Sequence, residues 1–158
     1  MDRFFVLPFR LAGQHLAVPL DSVVRVIPAL QCTPLPGAPR TVLGLANVRG
    51  QIIPVLDLAR RFAWPAAPLA LWQPFLWLRS RTRELLVPVE QVETAARCSV
   101  ADLVEAAQPA VPTELLRGVL RTEEGLLLIQ DVEQLLSDAD EEDLQRALDA
   151  SGAGHAPG

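Results

Sequence analysis

Few residues of this chain have types and spacings that could do bond chemistry. Its two histidines are far apart: His15 falls in the polar turn Ala12-Gly13-Gln14-His15 and His155 in the Gly/Ala/Pro end, so neither has the partners of a Ser/His/Asp arrangement or a metal site. Cys32 and Cys98 are solitary and lack CxxC spacing, which reads as two thiols in a reducing compartment. The run Asp138-Ala139-Asp140-Glu141-Glu142-Asp143 has the charge of a calcium loop without its glycine or spacing; it reads as a solvated helix start, carboxylates at the positive end of the dipole. There is no phosphate-binding GxxxxGK[ST], and Gly44-Leu45-Ala46-Asn47 does not fit a dinucleotide turn. Catalytic residues, metal and cofactor are therefore all expected to be none.

Recognition chemistry has a better candidate in Asn47-Val48-Arg49-Gly50. The five donors of Arg49 can tether its own loop to backbone carbonyls or order a contact beside it, and both can hold. Gly44 and Gly50 read as backbone necessities, Asn47 as a turn stabiliser, and Asp57 and Asp131 as helix caps. Val23 is a contact if it faces outward beside Arg25, and core if it faces inward.

These residues need a sheet to hold them. Ile52, Ile53 and Val55 follow the turn, so Gly44 to Leu58 reads as a hairpin feeding a buried strand. Moving 74 positions on, Gly118 to Val132 has the same outline: Gly44 meets Gly118, Val55 meets Ile129 and Asp57 meets Asp131. A second pair, Val18 to Val23 and Val87 to Val92, aligns in the same order at an offset of 69. Two ordered matches point to a duplicated unit.

Half the residues are hydrophobic and 21% are charged, an ordinary globular composition. Halves of roughly 70 residues have marginal cores, so they should pack on each other, with function in the seam. A net charge of -5 leaves no basic stripe for a phosphate backbone, so nucleic acid is not expected as a partner. The run Phe4 to Phe9 is too short for a signal or a span, and no later stretch has roughly 20 uninterrupted apolar residues; a soluble, intracellular protein without membrane insertion is expected.

In chain order, Phe5 to Leu11 and Leu16 to Leu20 form a hairpin, and Ser22 to Ile27 continues extended. Prolines 28, 34, 36 and 39 make a loop, with one helical turn expected over Pro39 to Leu43. After the organising hairpin comes a short helix at Leu58 to Phe62, and then the Pro-rich, uncharged connector over 64–74. Phe75 to Arg79 and Glu84 to Val89 form the next hairpin, Ser99 to Ala107 reads as a short helix, and Thr113 to Leu116 as a helical turn. Leu126 to Ile129 is a strand, a helical tail runs from Val132 to about Ala150, and 151–158 should be disordered. The fold class is all-β with short helices: two small antiparallel barrels. The first covers 5–63, the second 75–136, and the C-terminal helix 137–150 completes a unit spanning 1–150.

The pattern G-x-x-N-x-R-G-x-x-x-P-V-x-D-L at Gly44 to Leu58 resembles the CheW domain, the coupling module of bacterial chemotaxis, and the likeness covers roughly Phe5 to Leu148. The resemblance implies two packed five-stranded SH3-like barrels without enzymatic activity. It implies a cytoplasmic scaffold, at receptor arrays beneath the inner membrane, tying the tip of a methyl-accepting chemoreceptor to the regulatory domain of a CheA-type histidine kinase, with other CheW-like proteins as further partners. Carried over by position, the receptor-facing groove would hold Val23, Arg25, Gly44, Asn47, Arg49 and Gly50; the kinase-contact residues are not assigned. Relatives often carry an acidic residue where Arg25 stands, a glycine where Ala63 stands and Asp where Glu90 stands. The charge reversal at Arg25 implies a different receptor, or a related array such as one governing pili or surface behaviour. A coupler and a family member that blocks an array would share this pattern. The competing class is a small-molecule-binding or hydrolytic β-barrel protein using the groove, which a deep enclosed pocket with convergent polar groups would favour.

Overall fold

Alternating apolar residues and short turns produce a chain of strands: β1 (Arg3–Leu11), β2 (Gln14–Pro19), β3 (Val23–Ile27), β4 (Val42–Val48), β5 (Gln51–Leu56), β6 (Phe75–Arg79), β7 (Glu84–Pro88), β8 (Gln91–Val92), β9 (Ala96–Ser99), β10 (Leu116–Thr122) and β11 (Gly125–Gln130). Among the described residues, two helices, α1 (Leu58–Arg61) and α2 (Asp138–Ser151), and a few 3-10 turns connect or cover them. The structure is a computed structural model and describes residues 3–65, 73–105 and 109–152. Most of the expected connector and of the expected disordered tail, residues 66–72 and 153–158, lies outside the described residues.

The strands form two sheets. One runs β10-β11-β2-β1-β8, with β9 also on β1; the other runs β3-β6-β7-β5-β4. Within each sheet neighbouring strands are antiparallel except for one parallel pair, β11 with β2 and β5 with β7. This is the mainly β architecture expected of two small barrels, although the first sheet has six strands and neither is wholly antiparallel.

The allocation of strands to sheets differs from the expected split into 5–63 and 75–136. The first sheet takes residues 3–19 and 91–130, and the second takes 23–27, 42–56 and 75–88. The repeat explains why. Val55 lies beside Leu86, and their counterparts under the two offsets, Ile129 and Ala17, lie beside each other. Likewise Val23 faces Leu78 as Val92 faces Phe9. Both β4 and β10 carry a register shift before their glycine, between Val42 and Gly44 and between Leu116 and Gly118. The duplication is structural, and the two copies have exchanged hairpins. The short 3-10 turn Leu20–Ser22 carries the chain straight from β2 into the other sheet, and Val89-Glu90 does the same after β7.

Three apolar clusters follow. Val6, Ala17, Cys98, Leu120, Leu127 and Ile129 fill one sheet's outer side, and Ala46, Ile53, Val55, Phe75 and Leu86 fill the other's. The largest lies between them and takes Leu7, Phe9, Leu16, Val18, Leu76, Leu78, Leu85, Val87 and Leu128. The period-2 alternation is visible at Leu127, Leu128 and Ile129, which point in turn to different cores.

Asp57 caps α1, accepting from the Arg60 amide at 3.2 Å, and Asp131 caps the 3-10 turn Val132–Gln134, accepting from the Glu133 amide at 3.0 Å. The expected continuous helix from Val132 is therefore broken. Ser137 starts α2 anew by accepting from the Asp140 amide at 3.1 Å, and Gly152, at φ 73°, ends it. Leu144, Ala147 and Leu148 share one face of α2 and bury it in the central cluster. One other helical expectation fails. Of the expected helix Ser99 to Ala107, the described part, 99–105, is the end of β9, a 3-10 turn Val100–Asp102 and an extended piece whose Val104 amide reaches the Val119 carbonyl at 2.8 Å. Strand β10 offered a better partner there than a short, isolated helix. Over Pro39 to Leu43 the single turn expected is present, closed by the Val42 amide on the Pro39 carbonyl at 3.0 Å before β4 begins.

Candidate functional site

The β4–β5 connection has two residues, Arg49 and Gly50, between the paired Val48 and Gln51. Their φ values are 53° and 91°, the positive pair a tight primed hairpin turn requires. Asn47 makes this tolerable for an arginine: its Oδ1 accepts from the Gly50 amide at 2.6 Å and locks the turn. Gln51 is held in turn by Glu84, which accepts from Gln51 Nε2 at 3.3 Å and from the Trp77 indole at 2.5 Å, and lies 3.6 Å from Arg79. The backbone under Arg49 is thus fixed from both sides. Its exposed guanidinium makes no hydrogen bond or ion pair among the described residues, so the loop is tethered by Asn47 and not by Arg49 itself.

Gly44 serves packing. A Cβ there would lie 2.3 Å from the Thr33 carbonyl oxygen and 2.9 Å from Cys32 Sγ, because Thr33 pairs through both backbone groups with Leu45. Gly50 has open space around it, so only its φ demands glycine. Gly44, Asn47, Arg49 and Gly50 therefore belong to one hairpin at one edge of the second sheet. Val23 and Arg25 lie on β3, the opposite edge. Val23 is half-buried and packs against the central cluster. A register shift at Val24 then turns the chain over: Val23 sits opposite Leu78 of the central cluster, whereas exposed Arg25 sits opposite Trp77 of the outer one. No hydrogen bond or ion pair joins the two groups among the described residues.

The other polar cluster ties the first sheet together. Glu93 receives Arg10 Nε at 3.1 Å and His15 Nε2 at 2.6 Å, and Arg10 also pairs with Glu124. A carboxylate only accepts, so Nε2 carries the proton. The His15 hydrogen bond, the largest effect, holds the Glu93 carboxyl below its ordinary range; burial opposes it, and the Arg10 hydrogen bond and the charges of His15 and Arg10 add to the lowering. His15 thus lies in β2 as a structural partner and not free in a turn. Burial pushes the Cys32 and Cys98 thiols up, away from the nucleophilic thiolate, and the charge of Asp102 adds to this at Cys98.

Between the sheets, a cavity of about 40 Å³ is lined by Leu11, Ala12, Leu43, Asp57, Pro88 and Glu90. A larger, open trough of about 500 Å³ lies on the first sheet, along Phe4, Phe5, Leu20, Val100, Leu103 and Arg117. Phe5 and Val100 are 51% and 49% exposed. This trough has no sequence signal: Phe4 to Phe9 is a nearly unbroken apolar run that does not tell which side chains remain outside.

A family model for the CheW-like domain matches residues 6–140. The chain is 24% identical over 142 residues to "Chemotaxis protein CheW" of Treponema pallidum, covering 86% of this chain and 84% of that one. It is 42% identical over 52 residues to "Protein FrzA" of Myxococcus xanthus, 33% of this chain and 32% of that one. Among solved structures, the scaffolding protein TtCheW of Thermoanaerobacter tengcongensis superposes with a TM-score of 0.76 at 20% identity, over 85% of this chain and 88% of that one.

Proposed function

Since the chain belongs to the CheW-like domain family, we propose that it works as a non-catalytic adaptor of a chemosensory array, joining a methyl-accepting chemoreceptor tip to the regulatory domain of a CheA-type histidine kinase. The observation that carries the reading is Arg49: an exposed guanidinium with no hydrogen bond or ion pair among the described residues, on a turn fixed by Asn47 and Gly50. Such a group loses little freedom when a partner carboxylate or carbonyl meets it. The receptor tip docks at this turn, with Gly44 supporting the hairpin from within, and Arg25 reads the receptor's charge from the other edge strand, where Val23 also lies. A kinase domain of similar build docks on apolar surface at a barrel end. Holding both partners raises their effective concentration for each other, and a small receptor shift then biases the kinase between its states. No helix among the described residues is long and apolar enough to cross a membrane, which fits a place beneath the inner membrane and beside the receptors. A small-molecule or hydrolytic role is less well supported: the seam cavity of about 40 Å³ is far below the roughly 300 Å³ of a small ligand site.

The test is co-purification of the full chain with the host's CheA-type regulatory domain and with a receptor-tip hairpin. Wild type is expected to retain both, Arg49→Ala to lose the receptor tip while keeping the kinase domain, and Arg25→Glu to change receptor preference. Association of wild type with neither partner would end the coupling role.

A further inference from the structure

Both sheets carry a path of polar contacts from one edge to the other, and only one of these paths is closed at its ends. Under the offsets of 69 and 74, Arg79, Glu84, Val24 and Gly50 of the second sheet correspond to Arg10, His15, Glu93 and Glu124 of the first. In the first sheet Arg10, on β1, reaches both ways: its Nε donates to Glu93, just past β8, at 3.1 Å, and its Nη2 pairs with Glu124 in the β10–β11 turn. His15 also donates to Glu93, so every member of that path has an internal partner.

In the second sheet Glu84 is the link. Its Oε1 accepts from the Trp77 indole on β6 at 2.5 Å, and its Oε2 accepts from Gln51 Nε2 on β5 at 3.3 Å. Trp77 stands opposite Arg25 in the β3–β6 register, and Gln51 pairs with Val48 to close the Arg49-Gly50 turn. The path therefore runs Arg25, Trp77, Glu84, Gln51, Arg49, from one edge of the sheet to the hairpin at the other. Its two ends are exposed guanidinium groups with no hydrogen bond or ion pair among the described residues, where the path in the first sheet ends on carboxylates already engaged. The Glu84 side chain is only 23% exposed, beside an indole packed on the outer apolar cluster, and partners on both oxygens offset its loss of water. The pairing with Arg79, at 3.6 Å, lies at the surface and adds little.

We propose that Glu84 is a positioning residue for receptor recognition: without touching the receptor, it holds the strand that faces Arg25 and the turn that carries Arg49 at one fixed spacing. A receptor tip then meets two cations as a single preorganised pair, and the tip it fits carries two acidic or carbonyl groups at that spacing. This rests on the adaptor reading and names what joins, indirectly, the two groups of contact residues on opposite edges of the sheet.

The test is titration of the full chain with a receptor-tip hairpin, followed by calorimetry. Glu84→Leu removes both acceptors and is expected to weaken tip binding at least about fivefold with Arg25 and Arg49 unchanged. Glu84→Gln keeps both links, because its carbonyl accepts the indole N–H and its amide donates to a flipped Gln51. It is expected to return the affinity to within about twofold of wild type. NMR of the free protein supplies a readout that a merely structural role would not move. Arg25→Glu should shift the Gln51 side-chain amide as well as the Trp77 indole N–H, and in the Glu84→Leu background the shift should stop at Trp77. Binding of the CheA-type regulatory domain should be equal in wild type and both Glu84 variants, which shows them folded. Equal tip affinity in Glu84→Leu and wild type, Glu84→Gln as weak as Glu84→Leu, or a shift that never reaches Gln51 would overturn the positioning role and leave the adaptor standing. No binding of receptor tip or kinase domain to wild type would remove the adaptor, and the positioning role with it.

Discussion

Gly44 and Arg49 lie five positions apart in one hairpin, yet they respond to different constraints. A methyl group on Gly44 would meet the Thr33 carbonyl, a backbone atom that cannot swing aside. Gly44→Ala is expected to cost about 3 kcal/mol, the upper part of the overpacking range, read as a lower urea midpoint at unchanged slope. Arg49→Ala removes no hydrogen bond or ion pair among the described residues, so its stability should stay within about 0.5 kcal/mol of wild type while receptor binding is lost. Glu93 adds a pH dependence. Its folded-state carboxyl lies below the ordinary range, so it contributes stability that is fully present above the unfolded-state value and is lost as pH falls through the folded one. Urea titrations across that acid range should show Glu93→Gln with a flatter loss of stability than wild type; parallel curves would contradict the assignment. At this scale much was legible in advance: Gly44, Gly50, Asn47, Asp57 and Asp131 have the backbone roles their types suggested. The isolation of Arg49 and the opposite facing of Val23 and Arg25 were not legible, because a one-residue register shift at Val24 leaves no mark in residue type.

Among the elements, α2 shows how a surface helix fastens several others at once. Its face of Leu144, Ala147 and Leu148 is buried in the central cluster. Asp140 receives the Thr41 hydroxyl at 2.8 Å, and Glu141 takes Arg83 through Nε at 2.8 Å and Nη2 at 2.5 Å. The Arg83 side chain is only 13% exposed. Removing the Ser137 hydroxyl should cost about 1 kcal/mol, visible as a lowered melting temperature. Arg83→Met should release the β6–β7 turn, detected as faster amide exchange at Arg81 and Thr82. Strands and hairpins were readable because each carries its own period and turn chemistry. The 99–105 stretch reads as helix because Val100, Leu103 and Val104 have helical spacing, and only the distant β10 strand converts it.

For the whole molecule, the sequence repeat correctly announces two related units but not which hairpins keep company. Exchange of hairpins between copies depends on the short crossings at Leu20–Ser22 and Val89-Glu90, and a repeat with or without exchange has the same periodicity. The consequence can be tested. Each sheet draws strands from both halves, so a fragment ending at Pro65 and another beginning at Gln73 should each fail to fold alone, and should regain native circular dichroism when mixed. Two independently folded halves would contradict the exchanged topology. The same arrangement puts the fixed Arg49 turn on one sheet and the open trough on the other, two separate surfaces, as the proposed adaptor role requires. The most direct measurement of that role is the autophosphorylation rate of the host's CheA-type kinase mixed with receptor-bearing membranes, with the chain added or withheld. The rate should change only when receptor and chain are both present, and Arg49→Ala should abolish the change; a rate indifferent to the chain would contradict it.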